Sequence, residues 1–179
     1  MSKLIVVTGP IASGKSAVAS LLADSLSESG NSAVVTDLDD VVTSTRAPAS
    51  QVWRTWLRAR EIHGRLIGEW LSSDLDYVIA DGPFYSEWET DLLMRWVPDG
   101  TSVYRVLLLA SYEVALSRVA MDPSRGVSKD PEVLRTKYDE FNQQLEAIAN
   151  CDWTFDSTIC DLVTIVATLS RGILEDHSS

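Results

Sequence analysis

The sequence predicts an α/β fold: a five-stranded parallel sheet with helices on both faces. Two observations predict it. Short, continuous runs of apolar and β-branched residues read as strands buried on both sides, and they alternate along the chain with segments of helical periodicity. No internal repeat, linker or low-complexity stretch interrupts this alternation, so residues 1–179 are expected to form a single domain.

Lys3 to Thr8 is the first apolar run. From Lys15 to about Ser29, Val18, Leu21, Leu22 and Leu26 recur at helical spacing, and Gly30 is a natural stop. Ala33 to Thr36 is a second strand, ending in Asp37-Leu38-Asp39-Asp40. Ala49 to about Leu71 reads as a long helix. Val52, Trp56, Ala59, Leu66 and Trp70 can share one of its faces, while Arg54, Arg58 and Arg65 fall on another. Tyr77 to Ala80 is a third strand, ending at Asp81-Gly82-Pro83, and Glu87 to about Trp96 is helical. Ser102 to Leu109 is a fourth strand and Tyr112 to Met121 a helix; Asp122-Pro123-Ser124-Arg125-Gly126 then breaks the pattern as a loop. Pro131, suited to a first helical turn, opens a helix to about Asn150. Trp153 to Phe155 is the fifth strand and Leu162 to Leu174 the closing helix, with 176–179 expected to fray.

Composition narrows the function classes. The formal net charge of −11 disfavours nucleic acid and anionic membrane as partners, since both attract basic surfaces. The apolar stretches 103–116 and 159–169 are interrupted by charge or too short to span a bilayer, and the first apolar run ends too early for a signal peptide. The two cysteines, Cys151 and Cys160, match no zinc or redox spacing. A cytoplasmic location is expected.

Chemistry enters at Gly9-Pro10-Ile11-Ala12-Ser13-Gly14-Lys15-Ser16, followed by Ala17. Gly-x-x-x-x-Gly-Lys-Ser after a buried strand and at the opening of a helix is a phosphate-binding P-loop. Its glycines permit backbone shapes that side chains resist, its N–H groups form an anion nest, and the helix adds its positive end. Lys15 is expected on the β- and γ-phosphates, and the Ser16 hydroxyl on magnesium.

With this loop the chain resembles the P-loop small-molecule kinases: shikimate and gluconate kinases, chloramphenicol phosphotransferase and nucleoside monophosphate kinases. The resemblance covers nearly the whole length and implies the P-loop NTPase fold, strand order 2-3-1-4-5, ATP and Mg2+. It also implies an acceptor-side helical region at about 41–72 and a small lid at about 121–131. Asp37-x-Asp39 follows the second strand, where such kinases carry a base and a substrate or magnesium ligand. Asp37 is assigned the base and Asp39 the substrate contact, with the reverse left open. Asp81 resembles the acidic residue that binds magnesium directly or through water, and it also borders the acceptor side. Arg118 resembles the arginine that packs on adenine, and Arg125 the lid arginine that closes over phosphates. Arg135 could assist from the next helix.

On the acceptor side, the arginine-bearing helix could receive an anionic acceptor, with Arg54 and Arg58 as candidates; a solvated charged face is the plainer alternative. Leu57-Arg58-Ala59-Arg60-Glu61 resembles the Phe-Arg-x-x-Glu of shikimate kinase. The Gly-Gly-Gly of that family is replaced by Asp81-Gly82-Pro83-Phe84, which argues against shikimate itself. Trp53, Trp56, Phe84, Tyr85 and Trp88 are core or pocket aromatics, and His63 is expected to be packed rather than catalytic. The expected activity is phosphoryl transfer from ATP to a hydroxyl of a small molecule. A nucleoside or nucleotide kinase and a non-catalytic nucleotide-binding module are the rivals.

Overall fold

In a computed structural model, residues 2–123, 129–148 and 150–176 are described. The elements are β1 (Lys3–Thr8), α1 (Lys15–Glu28), β2 (Ala33–Asp37), α2 (Leu38–Thr43), a 3-10 turn (Ala49–Gln51), α3 (Val52–Leu71), β3 (Tyr77–Asp81) and α4 (Glu87–Met94). They continue with β4 (Val103–Leu109), α5 (Tyr112–Met121), α6 (Pro131–Ile148), β5 (Trp153–Asp156) and α7 (Leu162–Glu175). Every pairing is parallel, as the alternation of strands and helices predicts, and the sheet order β2-β3-β1-β4-β5 is the one the resemblance implies.

β1 and β3 are the most completely buried strands, and they take central places where both faces are covered. Alternation along the strands divides the core. Ile5, Val7, Ile79 and Leu108 point to one face, against Val18 and Leu22 of α1 and Ile165 and Leu169 of α7. Leu4, Val6, Val78 and Ala80 point to the other, against Ala59, Ile67 and Leu71 of α3 and Leu93 of α4. Each such Leu or Ile, fully buried, contributes about 1.5–3 kcal/mol. A smaller cluster joins Ile11 and Ala12 to Ala115 and Val119 of α5 and to Leu134 and Tyr138 of α6. The loop after β1 is therefore built into the core at its tip.

Gly30 ends α1 at φ 87°, with its N–H donating to the Ser27 carbonyl and the Asn31 N–H to that of Leu26. This pairing satisfies the last helical carbonyls. Among the described residues no helix is long and apolar enough to cross a membrane.

After β2, Asp37 accepts the Asp39 N–H at 2.8 Å and caps α2. One expectation needs correction: the apolar face of α3 is turned from the expected one. Its buried residues are Ala59, His63, Gly64, Ile67 and Leu71, while Val52, Leu66 and Trp70 are exposed. The cause is a close contact at Gly64 and Gly68. A Cβ on Gly68 would lie 2.4 Å from the Trp96 carbonyl, and one on Gly64 2.8 Å from the Trp96 ring. The two glycines face inward because only they fit there. α4 ends at Met94, so Trp96 sits in the turn that meets them.

Candidate active site

The carboxyl ends of β1, β2 and β3 lie side by side, with Asp81 in register with both Val7 and Asp37. In open parallel sheets this edge is where ligands bind. Here it carries the P-loop and two aspartates.

Gly9 leaves β1 at φ 149°, and a Cβ there would lie 2.1 Å from the Leu108 carbonyl of β4. No other residue fits that approach. Gly14 sits at φ 96° as the N-cap of α1, and the helix has neither a side-chain cap nor an acid in its first turn. Its first amides are thus not satisfied by a capping side chain, and the helix dipole favours negative charge there. Four successive carbonyls of the loop accept hydrogen bonds from side chains. Tyr85 Oη donates to Gly9 at 2.9 Å, Lys15 Nζ to Pro10 at 3.1 Å, Tyr138 Oη to Ile11 at 3.1 Å and Arg118 Nη1 to Ala12 at 2.9 Å.

A cleft of about 210 Å3 opens over this edge, lined by Ala12, Gly14, Lys15, Ser16 and Ala17, by Asp37, Asp39 and Asp81, and by Arg118. Ser16 Oγ donates to Asp37 Oδ2 at 3.3 Å, and Asp37 Oδ1 holds the Asp39 N–H. Asp81 is 1 % exposed, and neither of its carboxylate oxygens has a hydrogen-bond partner among the described residues. Burial is the main reason its pKa is pushed up to about 6, with the charges of Asp37 and Asp39 adding to the rise. The Lys15 ammonium and the nearby Ser16 hydroxyl oppose it. An orphaned buried carboxylate beside a hydroxyl and a second carboxylate suits a hard divalent cation such as Mg2+. No group of three or more His, Cys, Asp or Glu forms a metal cage among the described residues, so a cation here would also draw oxygens from phosphate and water.

Arg118 commits its donors in the guanidinium plane: besides Ala12, Nη1 donates to Ser157 Oγ at 2.9 Å and Nη2 to the Ser157 carbonyl at 2.8 Å. It thereby ties the loop to the turn after β5 while bordering the cleft. Arg125 lies outside the described residues. Arg135 is on α6, stacked 3.5 Å over the Tyr112 ring.

The α3 arginines are not brought to the cleft. Arg54 and Arg58 line an open groove of about 500 Å3 on the outer side of α3, with Trp53 and Glu61. The inward arginine is Arg60, which the sequence does not single out. It pairs with Glu89, lies beside the rings of Trp56 and Trp88, and reaches the Pro83 carbonyl. Glu89 Oε2 accepts the N–H groups of Tyr85 (2.8 Å) and Ser86 (3.1 Å). The Ser86-x-x-Glu89 capping box was the available signal for this anchor. No motif marks Tyr85 or Tyr138.

His63 is packed, as expected. It is fully buried, its Nε2–H donates to the Thr36 carbonyl at 3.0 Å, and its ring lies parallel to Phe84. Burial lowers its pKa, against the smaller pull of that hydrogen bond and of Asp37. Both cysteines are free thiols.

A family model described as an AAA domain matches residues 4–148. No curated protein matches the chain. Among solved structures, a protein from Chloroflexus aurantiacus provisionally titled a kinase is 18% identical, with a TM-score of 0.69 over 97% of each chain. A shikimate kinase from Bacteroides thetaiotaomicron is 14% identical with a TM-score of 0.66 over 99% of each chain. The shikimate kinase of Acinetobacter baumannii, solved with shikimate, is 17% identical with a TM-score of 0.63 over 98% of this chain and 95% of its own. These likenesses establish the fold of P-loop small-molecule kinases.

Proposed function

The chain belongs to the AAA-domain family, and we propose that within it this protein is an ATP-dependent kinase acting on a hydroxyl of a small molecule. The observation that carries the reading is the convergence of Lys15, Ser16, Asp37 and Asp81 on one cleft beside a complete P-loop. The P-loop amides and Lys15 bind the ATP phosphates, Lys15 giving up its bond to the Pro10 carbonyl to do so. Ser16 and Asp81 hold Mg2+, which supplies charge neutralisation on the phosphates when bound. Arg118 flanks the nucleotide, and Arg125 closes from the lid at 121–131.

Asp37 orients the acceptor hydroxyl and takes its proton as the oxygen bonds to the γ-phosphorus; the bond to the β-phosphate oxygen breaks and ADP leaves. Asp39, exposed at the cleft, contacts the acceptor. Arg54 and Arg58 would bind an acceptor only if it extends to the outer groove of α3. The kinase is read as one unit over 1–179, cytoplasmic, with ATP and the acceptor as its partners.

The test is ADP release from Mg-ATP across pools of nucleosides, nucleotides, sugar acids, shikimate-like acids and hydroxylated antibiotics, with a Lys15→Ala control. Stimulation by one pool that vanishes with Lys15→Ala is the expected result, and preference for phosphorylated acceptors would turn the reading to a nucleotide kinase. Flat, slow turnover in every pool would favour a nucleotide-binding module instead.

A further inference from the structure

We infer that Tyr85 and Tyr138 are positioning residues for the phosphate-binding loop, holding its backbone at two points, Gly9 and Ile11, through their hydroxyls. The inference rests on the P-loop binding phosphate, as proposed above.

Tyr85 belongs to the turn between β3 and α4, on the acceptor side, and Tyr138 to α6, which follows the proposed lid. Each donates to a loop carbonyl at hydrogen-bond distance: Tyr85 to Gly9 at 2.9 Å and Tyr138 to Ile11 at 3.1 Å. In a planar trans peptide the C=O points opposite to the next N–H. The bond from Tyr138 therefore sets the direction of the Ala12 N–H, one of the amides that a nest presents to an anion. Tyr85 holds the Gly9–Pro10 peptide, which has no N–H, and so fixes where the loop leaves β1.

Both tyrosines are themselves held. The Tyr85 backbone N–H is bound by Glu89, whose other oxygen pairs with Arg60, and the Tyr85 ring packs edge-on against Phe141 at 5.2 Å. Tyr138 is 4 % exposed and packs with Leu134, Val119 and Ala12. Burial pushes both phenols far above their usual pKa, so each stays a donor wherever the protein is folded. Lys15, which holds the Pro10 carbonyl, is released when it turns to phosphate. The tyrosine bonds face away from that task and can persist in the liganded loop.

A loop not held in this way must be ordered at the moment of binding, and that cost appears in affinity for phosphate. Tyr85→Phe and Tyr138→Phe keep the rings and remove only the hydroxyls. The probes are inorganic tripolyphosphate and adenosine, titrated by calorimetry into the full chain with Mg2+ present throughout. Each variant is expected to bind tripolyphosphate about three- to tenfold more weakly, the cost of one lost hydrogen bond, with adenosine affinity unchanged. Tyr112→Phe is the control. Its hydroxyl donates to the Pro131 carbonyl in the same aromatic cluster but does not touch the loop, so its tripolyphosphate affinity should match the wild type. Variants that melt earlier yet bind tripolyphosphate as the wild type does would overturn the positioning role and leave the kinase reading standing. A wild type that binds no tripolyphosphate would overturn both.

Discussion

Asp81 offers the sharpest physical test of the site, because its carboxylate is buried and has no hydrogen-bond partner among the described residues. Its pKa rises from 3.8 to about 6 on folding, chiefly through burial. Below about pH 3.8 the group is protonated in both states and costs nothing. Between 3.8 and about 6 the unfolded chain ionises first, so folding becomes progressively less favourable; above about 6 the full cost is reached. At about 1.4 kcal/mol per pKa unit, that cost is about 3 kcal/mol at pH 8 and about 1 kcal/mol at pH 4.5. Asp81→Asn removes the ionisation, while its amide brings a constant desolvation penalty of about 1–3 kcal/mol. The stability of Asp81→Asn relative to wild type should therefore rise by about 2 kcal/mol from pH 4.5 to pH 8, whatever the constant offset. The assay is urea unfolding of the ligand-free protein at both pH values. A difference that does not change with pH would refute the idea that Asp81 is a desolvated carboxylate. Mg-ATP at saturation should then stabilise the wild type more than the variant, since only the wild type has a buried charge to be relieved.

Two further outcomes follow from packing. Gly9→Ala puts a Cβ 2.1 Å from the Leu108 carbonyl and should cost about 3 kcal/mol or more, whereas Gly30→Ala, also at positive φ but with nothing within 4 Å, should cost about 1 kcal/mol; equal losses in urea unfolding would contradict the close approach. Arg60→Ala leaves Glu89 nearly buried without its cation and should lower stability by about 3 kcal/mol, part of which Glu89→Gln in the same chain should restore; simple additivity of the two substitutions would argue that the pair is not coupled.

The parts of the site legible in the sequence are those whose chemistry demands fixed residues at short spacing. Gly9, Gly14, Lys15 and Ser16 are set by one turn of backbone, and Asp37 and Asp81 by the ends of strands that read as buried runs. What was not legible depends on distant partners or on helix rotation. Tyr85 and Tyr138 meet the loop from positions 76 and 127 residues away in sequence. Along α3, arginines at 54, 58 and 60 are similar in kind. Only the contact of Gly64 and Gly68 with Trp96 settles that Arg60 turns inward while Arg54 and Arg58 face the outer groove. A periodicity argument cannot find that rotation, because Leu66 and Trp70 are as apolar as the residues that are buried.

The electrostatics of the cleft favour one further step. An anion nest, with the positive end of α1 and Lys15, lies directly beside Asp37, Asp39 and Asp81 in a chain of net charge −11. A polyphosphate bound alone would meet three carboxylates, one of them already burdened by its neighbours and by burial. A nest for phosphate and a cluster of acids are compatible at such range only if a cation lies between them, neutralising both at once. Ser16 is the residue that belongs to both halves: it lies in the first turn of α1, beside the loop, and bonds to Asp37 on the acidic side. If the cleft takes ATP as proposed, nucleotide and Mg2+ are expected to bind as one unit. ATP affinity should collapse in EDTA, and in Asp81→Asn it should depend much less on Mg2+. ATP binding that is equally tight with and without Mg2+ would show instead that the acids serve the acceptor alone.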